Sequence, residues 1–124
     1  MQRRDFVSVH DVARALRLAL EREGADGSAV NVGTGVGHTI REISERLTAL
    51  LGKDVEPELT GEFRLGDIRH CYADISLARE TLGYEPQISL DEGMGEVAAW
   101  LEGRVAHDRV DAATEELARR GLAG

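Results

Sequence analysis

The 124-residue sequence predicts an α/β fold: a small, partly parallel sheet with flanking helices. Short apolar runs alternate with stretches in which apolar residues recur every three or four positions, as in βα units. Glycine-containing turns separate the two kinds of segment. Only two or three runs are suited to be strands, which is few for a free-standing sheet. We therefore expect a single domain whose sheet is thin.

Composition limits the possible partners. The net charge is −8, hydrophobic residues make up 42% and aromatic residues 4%, so the core must consist mainly of small aliphatic side chains. An acidic chain disfavours nucleic acid and anionic membranes as partners, because both require a basic face. The single cysteine excludes an internal disulfide, and no apolar run is long enough for a membrane span or a signal peptide. A cytoplasmic location fits these features.

Two βα units are predicted in the first half of the chain. Residues 6–9 form a short strand, and Asp11 caps a helix that ends at Gly24 or Gly27. Residues 29–32 form the second strand.

The second predicted helix begins with a capping box formed by Thr39 and Glu42 and is closed by Gly52. Its apolar residues recur at helical spacing and predict one buried face: Ile40, Ile43, Leu47, Leu50 and Leu51. Residues 55–59 form a weaker strand, which Pro57 confines to a sheet edge.

The second half of the chain begins with a polar segment at residues 64–76. Ser76 caps a short helix that stops at Gly83, and an extended connection follows at residues 84–88. A further helical stripe runs from Leu90 to Val105. A last, more polar helix extends over about residues 110–122.

The sequence Gly-Thr-Gly-Val-Gly at residues 33–37 lies between a predicted strand and a helix, like a dinucleotide-binding turn. That turn requires glycines at i, i+2 and i+5, but His38 occupies the third position. A phosphate-binding loop is also excluded, because no Gly-Lys-Ser/Thr follows. A tight connection in which glycines adopt positive φ is favoured over a cofactor cradle.

Metal binding and nucleophilic catalysis have little support. The four histidines are far apart in sequence, and none has the spacing of metal ligands with another: His10, His38, His70 and His107. Cys71 follows His70 directly, and neighbouring side chains in a strand point apart. We expect Cys71 to be a buried, inert thiol.

Acid–base catalysis of the dehydrogenase type would need a tyrosine with a lysine four residues later. The tyrosines are Tyr72 and Tyr84, and neither has a lysine at that distance. The single lysine, Lys53, is near neither of them. A Tyr-x-x-x-Lys pair is therefore absent from this sequence, and no residue in it is predicted to be catalytic.

Arginine and aspartate give the remaining candidates for a binding site. Arg64 precedes Asp67 by three residues across a Gly66 turn, and Arg4 lies at the edge of a predicted strand. A guanidinium can bind a phosphate with two hydrogen bonds, and a carboxylate can accept from a sugar hydroxyl. The alternative is that all three are ordinary surface residues that flank turns.

Four segments, in order and in register, resemble the C-terminal part of the extended short-chain dehydrogenase/reductases, the NAD-dependent nucleotide-sugar epimerases and dehydratases. The four are RDFVSVHDVA at residues 4–13, NVGTG at 31–35, RLGD through ADIS at 64–76, and LGYEP at 82–86 with Trp100 beyond it. Members like UDP-glucose 4-epimerase are the most similar. The resemblance extends from residue 3 to about residue 104.

The resemblance implies specific roles. The arginines at the positions of Arg4 and Arg64 contact the substrate diphosphate, and the aspartate at the position of Asp67 binds the ribose. The NAD turn and the Tyr/Lys pair of the family lie in its N-terminal, Rossmann half, so NAD is implied for full-length members but no cofactor site in this chain. Ser8, His10 and Cys71 depart from the family's usual residues. The departure at Ser8 leaves the fine positioning of the Arg4 strand open.

Two hypotheses follow. In the first, residues 1–104 are a nucleotide-sugar-binding domain, not catalytic by itself, and residues 105–124 are an extra helical segment; a Rossmann-domain partner would cover exposed apolar surface. In the second, the chain is a non-catalytic relic or interaction module that self-associates through its C-terminal helix. The apolar residues available for that contact are Val105, Val110, Ala113 and Leu117.

Overall fold

A computed structural model describes residues 1–59, 61, 65–104 and 107–122. Within them, the chain forms five α-helices and a three-stranded sheet, which confirms the α/β class. The strands are β1 (Arg3–Arg4), β2 (His38–Thr39) and β3 (His70–Cys71). The helices are α1 (Val9–Glu21), α2 (Ile40–Leu50), α3 (Ser76–Leu82), α4 (Leu90–Leu101) and α5 (Val110–Arg119).

The sheet is mixed, with β1 in its centre and the strand order β2-β1-β3. β1 runs antiparallel to β2, where Arg4 pairs with His38, and parallel to β3, where Arg4 pairs with Cys71. The prediction of a thin, partly parallel sheet is therefore confirmed. Because β1 has a neighbour on each side, it places the backbone of Arg4 between two distant parts of the chain.

The predicted positions of the strands were wrong. The hydroxyl of Ser8 accepts a hydrogen bond from the His10 N–H at 3.2 Å and begins α1, so residues 6–9 lead into a helix. Residues 29–32 and 55–59 have no strand assignment. Val30 and Val32 nevertheless pack against the core, which explains the apolar character of that run. The apolar pattern of residues 29–32 indicated burial but did not indicate strand pairing.

Two helix boundaries confirm the predicted capping chemistry. The Thr39 hydroxyl accepts from the Glu42 N–H at 3.1 Å, and the Glu42 carboxylate accepts from the Thr39 N–H at 2.7 Å. This capping box begins α2. Gly83 ends α3 in a left-handed conformation, with φ of +66°.

Other predicted boundaries need correction. Ser8, not Asp11, is the N-cap of α1, and Ile75, not Ser76, precedes α3. α1 ends at Glu21 and is followed by a 3₁₀ turn at Glu23–Ala25, so it stops before the predicted glycines. α4 ends at Leu101, while the predicted end at Val105 lies outside the described residues. α5 ends at Arg119, a few residues early.

The core is small, and the predicted buried face of α2 was wrong. The buried apolar residues are Ala15, Ile75, Ala78, Leu82 and Tyr84. On α2, Ile40, Leu50 and Leu51 are each about half exposed and Ile43 is only half-buried. The described chain places β2 and α4 beside α2, and these two elements leave that face uncovered.

Within the described residues, no helix is both long and apolar enough to cross a bilayer.

Candidate functional site

Arg4 lies on the central strand, and its guanidinium contacts the segment that precedes β3. Its Nη2 donates to the carbonyl of Ile68 at 2.8 Å, and its Nη1 donates to the carbonyl of Arg69 at 3.1 Å. Nη1 also donates to the carbonyl of Arg3 at 2.9 Å. Three carbonyl oxygens thus hold the guanidinium of Arg4 against the segment that carries Asp67.

Asp67 directly follows a turn at Leu65 and Gly66. Gly66 has φ of +90°, which glycine adopts without the steric cost that other residues incur. Asp67 is exposed, and the side chains of Leu65 and Ile68 are each 60% exposed. An exposed carboxylate on such a turn can accept hydrogen bonds from the hydroxyl groups of a ligand.

The third predicted site residue, Arg64, lies outside the described residues. It directly precedes Leu65 in sequence. The structure therefore brings Arg4 to the segment of Asp67, and the binding roles of Arg4, Arg64 and Asp67 stay predictions.

Asp5, which follows Arg4, organises the loop after residue 32. Its carboxylate accepts from the backbone N–H and the hydroxyl of Thr34, at 3.0 and 2.5 Å. It also accepts from the N–H of Gly35 at 3.0 Å and from that of Ala73 at 3.2 Å. One carboxylate thus joins β1, the glycine-rich loop and the connection from β3 to α3, and fixes the strand on which Arg4 lies.

The electrostatics of Asp5 follow from these contacts. Burial alone would raise the pKa of its carboxyl group, but the hydrogen bonds from Thr34, Ala73 and Gly35 outweigh burial and lower the pKa below its ordinary 3.8. Asp5 is therefore ionised at neutral pH and serves as a fixed acceptor, not as a proton donor.

The same contacts determine what the glycine-rich loop can bind. A dinucleotide turn presents its backbone N–H groups to a pyrophosphate, whereas here the N–H groups of Thr34 and Gly35 are donated to Asp5. A Cβ added to Gly33 would meet Asp5 Oδ2 at 2.6 Å, so this glycine is required by close packing. Gly35 has φ of +77°. These residues do not fit a cofactor cradle, and the interpretation as a tight connection is favoured on geometry as well as on spacing.

Asp11 is a second carboxylate that accepts several hydrogen bonds, and only 1% of the residue is exposed. It accepts from the N–H of Gln87 at 3.0 and 3.1 Å and from the N–H of Ile88 at 3.1 Å. Arg14 Nη2 donates to it at 2.6 Å. Burial would raise its pKa, but the hydrogen bonds from Arg14, Ile88 and Gln87 lower it. Asp11 therefore attaches the first turn of α1 to the connection between α3 and α4.

Tyr84 completes this attachment. Its ring is fully buried, and its hydroxyl donates to the carbonyl of Gly33 at 2.9 Å. The guanidinium of Arg14 lies 5.7 Å from the centre of the ring and also donates to the carbonyl of Glu85. Burial raises the pKa of Tyr84 above its usual value. Tyr84 is thus a structural residue between the glycine-rich loop and the core.

Asp5 and Asp11 were not singled out in the sequence for these roles. Both lie in the RDFVSVHDVA segment, and an acidic residue inside an apolar run was the available signal. Their partners are up to 77 positions away along the chain, so local patterns could not reveal them.

Two surface pockets lie near the sheet. One, of about 320 Å³, is formed by residues of the glycine-rich loop and the connection to α4, including Phe6, Thr34 and Ile88. The other, of about 500 Å³, is lined by residues that include Arg3, His70 and Tyr72. Neither is lined by Arg4 or Asp67. Asp67 and the residues on either side of it are exposed, so this part of the candidate binding site is open to solvent.

The prediction for Cys71 was wrong, because this thiol is exposed. β3 lies at the edge of the sheet next to β1, and the described chain adds no further strand to cover it. Among the described residues, no three His, Cys, Asp or Glu side chains come together as metal ligands. His10 instead pairs with Glu96 at 2.8 Å, on an exposed surface between α1 and α4.

Comparison with known proteins identifies the family. A family model described as GDP-mannose 4,6 dehydratase matches residues 1–97. The chain belongs to this family. A curated relative, the dTDP-L-rhamnose 4-epimerase of Burkholderia thailandensis, is 40% identical over 98 residues, which are 79% of this chain and 27% of the relative. The UDP-glucose 4-epimerase of Mycolicibacterium smegmatis is 38% identical over 101 residues, 82% of this chain and 32% of the relative.

The solved structures agree with this family assignment. A crystal structure of the UDP-glucose 4-epimerase of Thermotoga maritima with UDP-glucose matches with a TM-score of 0.72 and 37% identity, covering 81% of this chain and 31% of that one. The resemblance to part of an extended short-chain dehydrogenase/reductase is thus confirmed. This family member spans about a third of the length of the relatives that it matches.

Proposed function

We propose that the chain binds nucleoside-diphosphate sugars, as the substrate-binding part of an NAD-dependent epimerase or dehydratase. Residues 1–104 form the binding domain in this proposal, and residues 105–124 are an added helical segment. The observation that carries it is the contact between the guanidinium of Arg4 and the carbonyls of Ile68 and Arg69, next to Asp67. The relatives with UDP-glucose and UDP bound to them support the proposed ligand class.

The proposed roles follow from charge and geometry. Arg4 and Arg64 bind the diphosphate, and Asp67 accepts hydrogen bonds from the ribose. The present acceptors of Arg4 are neutral carbonyls, and a phosphate oxygen forms a stronger, charge-assisted bond with a guanidinium. In this proposal the positive charges of Arg4 and Arg64 attract the diphosphate although the whole chain carries −8.

We do not propose that residues 1–124 catalyse a reaction by themselves. The sequence has no Tyr-x-x-x-Lys pair, and the N–H groups of its glycine-rich loop are donated to Asp5. NAD, where bound, would accept and return the hydride. We propose that a Rossmann domain outside residues 1–124 holds it and closes the binding surface. The residues of this chain bind and orient the sugar nucleotide.

Titration with nucleoside diphosphates tests the binding proposal. We expect UDP, dTDP or GDP to shift the backbone amide signals of Gly66–Arg69 at millimolar concentration, since the surface is open and the affinity weak. The amides of Ala78 and Leu82 provide an internal control, because these residues of α3 are buried in the core. If none of the three nucleotides shifts the amide signals of residues 66–69 at a concentration tenfold above about 1 mM, the proposal is contradicted.

A second candidate function is self-association, and exposed apolar side chains favour it. On α1, Leu16 and Leu20 are 64% and 90% exposed; on α4, Val97 and Trp100 are 56% and 60% exposed. On α5, Val110 and Ala113 are exposed and Leu117 is half-buried, while Val105 lies outside the described residues. Exposed apolar clusters of this kind mark association surfaces.

Removal of residues 106–124 tests this second candidate. If the C-terminal helix mediates self-association, light scattering should give fewer chains per particle for the shortened chain than for the full chain at equal concentration. The exposed variant Val110→Asp should lower the number of chains per particle in the same way without shortening the chain. An unchanged number of chains per particle in both would exclude self-association through α5.

A further inference from the structure

The C-terminal end of α5 has a defined geometry. The N–H of Leu122 donates to the carbonyl of Leu117 at 2.9 Å, and that of Gly121 donates to the carbonyl of Ala118 at 3.0 Å. Gly121 has φ of +66°. These two bonds and the left-handed glycine form a Schellman motif, which fixes the chain direction after the last helical turn. Leu122 is therefore held in a set orientation relative to α5.

The carbonyl of Leu122 points to the candidate nucleotide segment. It accepts a hydrogen bond from the N–H of Leu65 at 3.0 Å. Leu65 immediately precedes Gly66 and Asp67. On the other side of Asp67, the carbonyls of Ile68 and Arg69 accept from Arg4. The segment at residues 65–69, here called the nucleotide segment, is thus held at both ends, by β1 and by the end of α5.

We propose that the end of α5 positions the nucleotide segment, and that Leu122, through its carbonyl, is a positioning residue for the nucleotide site. The expected effect on nucleotide binding rests on the proposed function, whereas the hydrogen bond between Leu65 and Leu122 does not. The residues that provide it lie beyond residues 1–97, which the family model matches. The positioning contact is therefore an addition to the part of the chain that the family defines.

The contact should strengthen nucleotide binding because it preorganises the nucleotide segment. All five residues of the nucleotide segment are exposed, so few packing contacts order it. A segment that must be ordered when the ligand binds weakens the affinity, and contacts that order it beforehand remove that cost. With one end held by Arg4, the hydrogen bond at Leu65 restricts the other end and so limits the backbone conformations of the segment that carries Asp67.

Substitution at Gly121 tests the proposal in the full chain. Valine at a φ of +66° is strained, so Gly121→Val should open the Schellman motif and make hydrogen exchange of the Leu65 amide roughly tenfold faster. The dissociation constant for UDP should rise several-fold. Gly121→Asn should keep both values close to those of the unmodified chain, because asparagine tolerates this conformation.

Gly103→Val is the matched control. Gly103 has φ of +74°, follows α4 and, like Gly121, has no atom within 4 Å of an added Cβ. This variant should leave the Leu65 amide and the UDP affinity unchanged. Exchange of the Leu82 amide, in the buried part of α3, reports whether each variant stays folded.

The outcomes separate this inference from the proposed function. Unchanged exchange at Leu65 in Gly121→Val would overturn the contact, and faster exchange with unchanged UDP affinity would overturn its positioning role. If the unmodified chain binds no nucleoside diphosphate, the proposed function fails. Faster exchange at Leu65 alone would in that case still support the contact between α5 and the nucleotide segment.

Discussion

Replacing Asp11 by asparagine is expected to lower the free energy of unfolding by about 3–5 kcal/mol, the cost of breaking a buried ion pair from one side. Asp11 is 1% exposed and accepts from Arg14, Gln87 and Ile88. Asparagine has nearly the same shape, but its NH2 group would face N–H donors, and Arg14 would lose its charged partner. Equilibrium unfolding in urea, followed by circular dichroism, measures the change.

Asp91→Asn is the control for this prediction. Asp91 also pairs with an arginine, Arg46, at 2.6 Å, but its side chain is 72% exposed. Exposed ion pairs contribute about 0–1 kcal/mol, so the control should be nearly as stable as the unmodified chain. Equal losses of unfolding free energy in Asp11→Asn and Asp91→Asn would show that the burial of Asp11 does not account for its contribution to stability.

The second large effect is expected at Asp5. Asp5→Asn should lower the free energy of unfolding by about 2–3 kcal/mol, because several hydrogen bonds to a charged acceptor weaken together. The acceptor joins β1 to Thr34, Gly35 and Ala73, so the strand that carries Arg4 should also become less ordered. Urea unfolding measures the first effect, and hydrogen exchange of the β1 amides measures the second.

The stability that Asp5 contributes depends on pH. The pKa of Asp5 is lowered in the folded chain, so its ionised form contributes stability above the unfolded pKa of about 3.8, and this contribution is lost as pH falls through the lower folded value. The difference in stability between the unmodified chain and Asp5→Asn should be full at pH 6 and shrink below pH 4. Asp26→Asn, a substitution at an exposed aspartate, should leave the free energy of unfolding at pH 6 nearly unchanged. A difference that stays constant down to pH 2 would contradict the ionised role of Asp5.

Local chemistry was predictable from sequence where the partners are near in the chain. The capping box of Thr39 and Glu42 joins residues three apart, and Gly83 ends α3 through its own backbone freedom. Strand positions were not predictable in the same way. β1 consists of two arginines, and its pairing with residues 38–39 and 70–71 is a long-range property that periodicity does not encode.

The site was predictable to a similar degree. The resemblance indicated Arg4, Arg64 and Asp67, and the structure brings Arg4 to the segment of Asp67. The acceptor roles of Asp5 and Asp11 were not predicted, because aspartate near a helix start is usually a cap and only the tertiary structure assigns it distant donors. The predictions that Cys71 and the apolar face of α2 are buried were wrong for a related reason. Apolar patterning shows which surfaces avoid water, and it does not show whether the covering surface is present.

The central claim is that arginines of this chain hold a diphosphate, and the most direct test is the ratio of two dissociation constants. For whichever of UDP, dTDP and GDP binds most tightly, the unmodified chain should bind the diphosphate at least about tenfold more tightly than the matching nucleoside, which is about 1.4 kcal/mol. In Arg64→Ala this preference should be clearly smaller, because one of the two proposed diphosphate ligands is removed. In Arg69→Ala, which removes the same charge from the same segment, it should remain. Equal affinity for nucleoside and diphosphate in the unmodified chain, or equal loss in both variants, would contradict the claim.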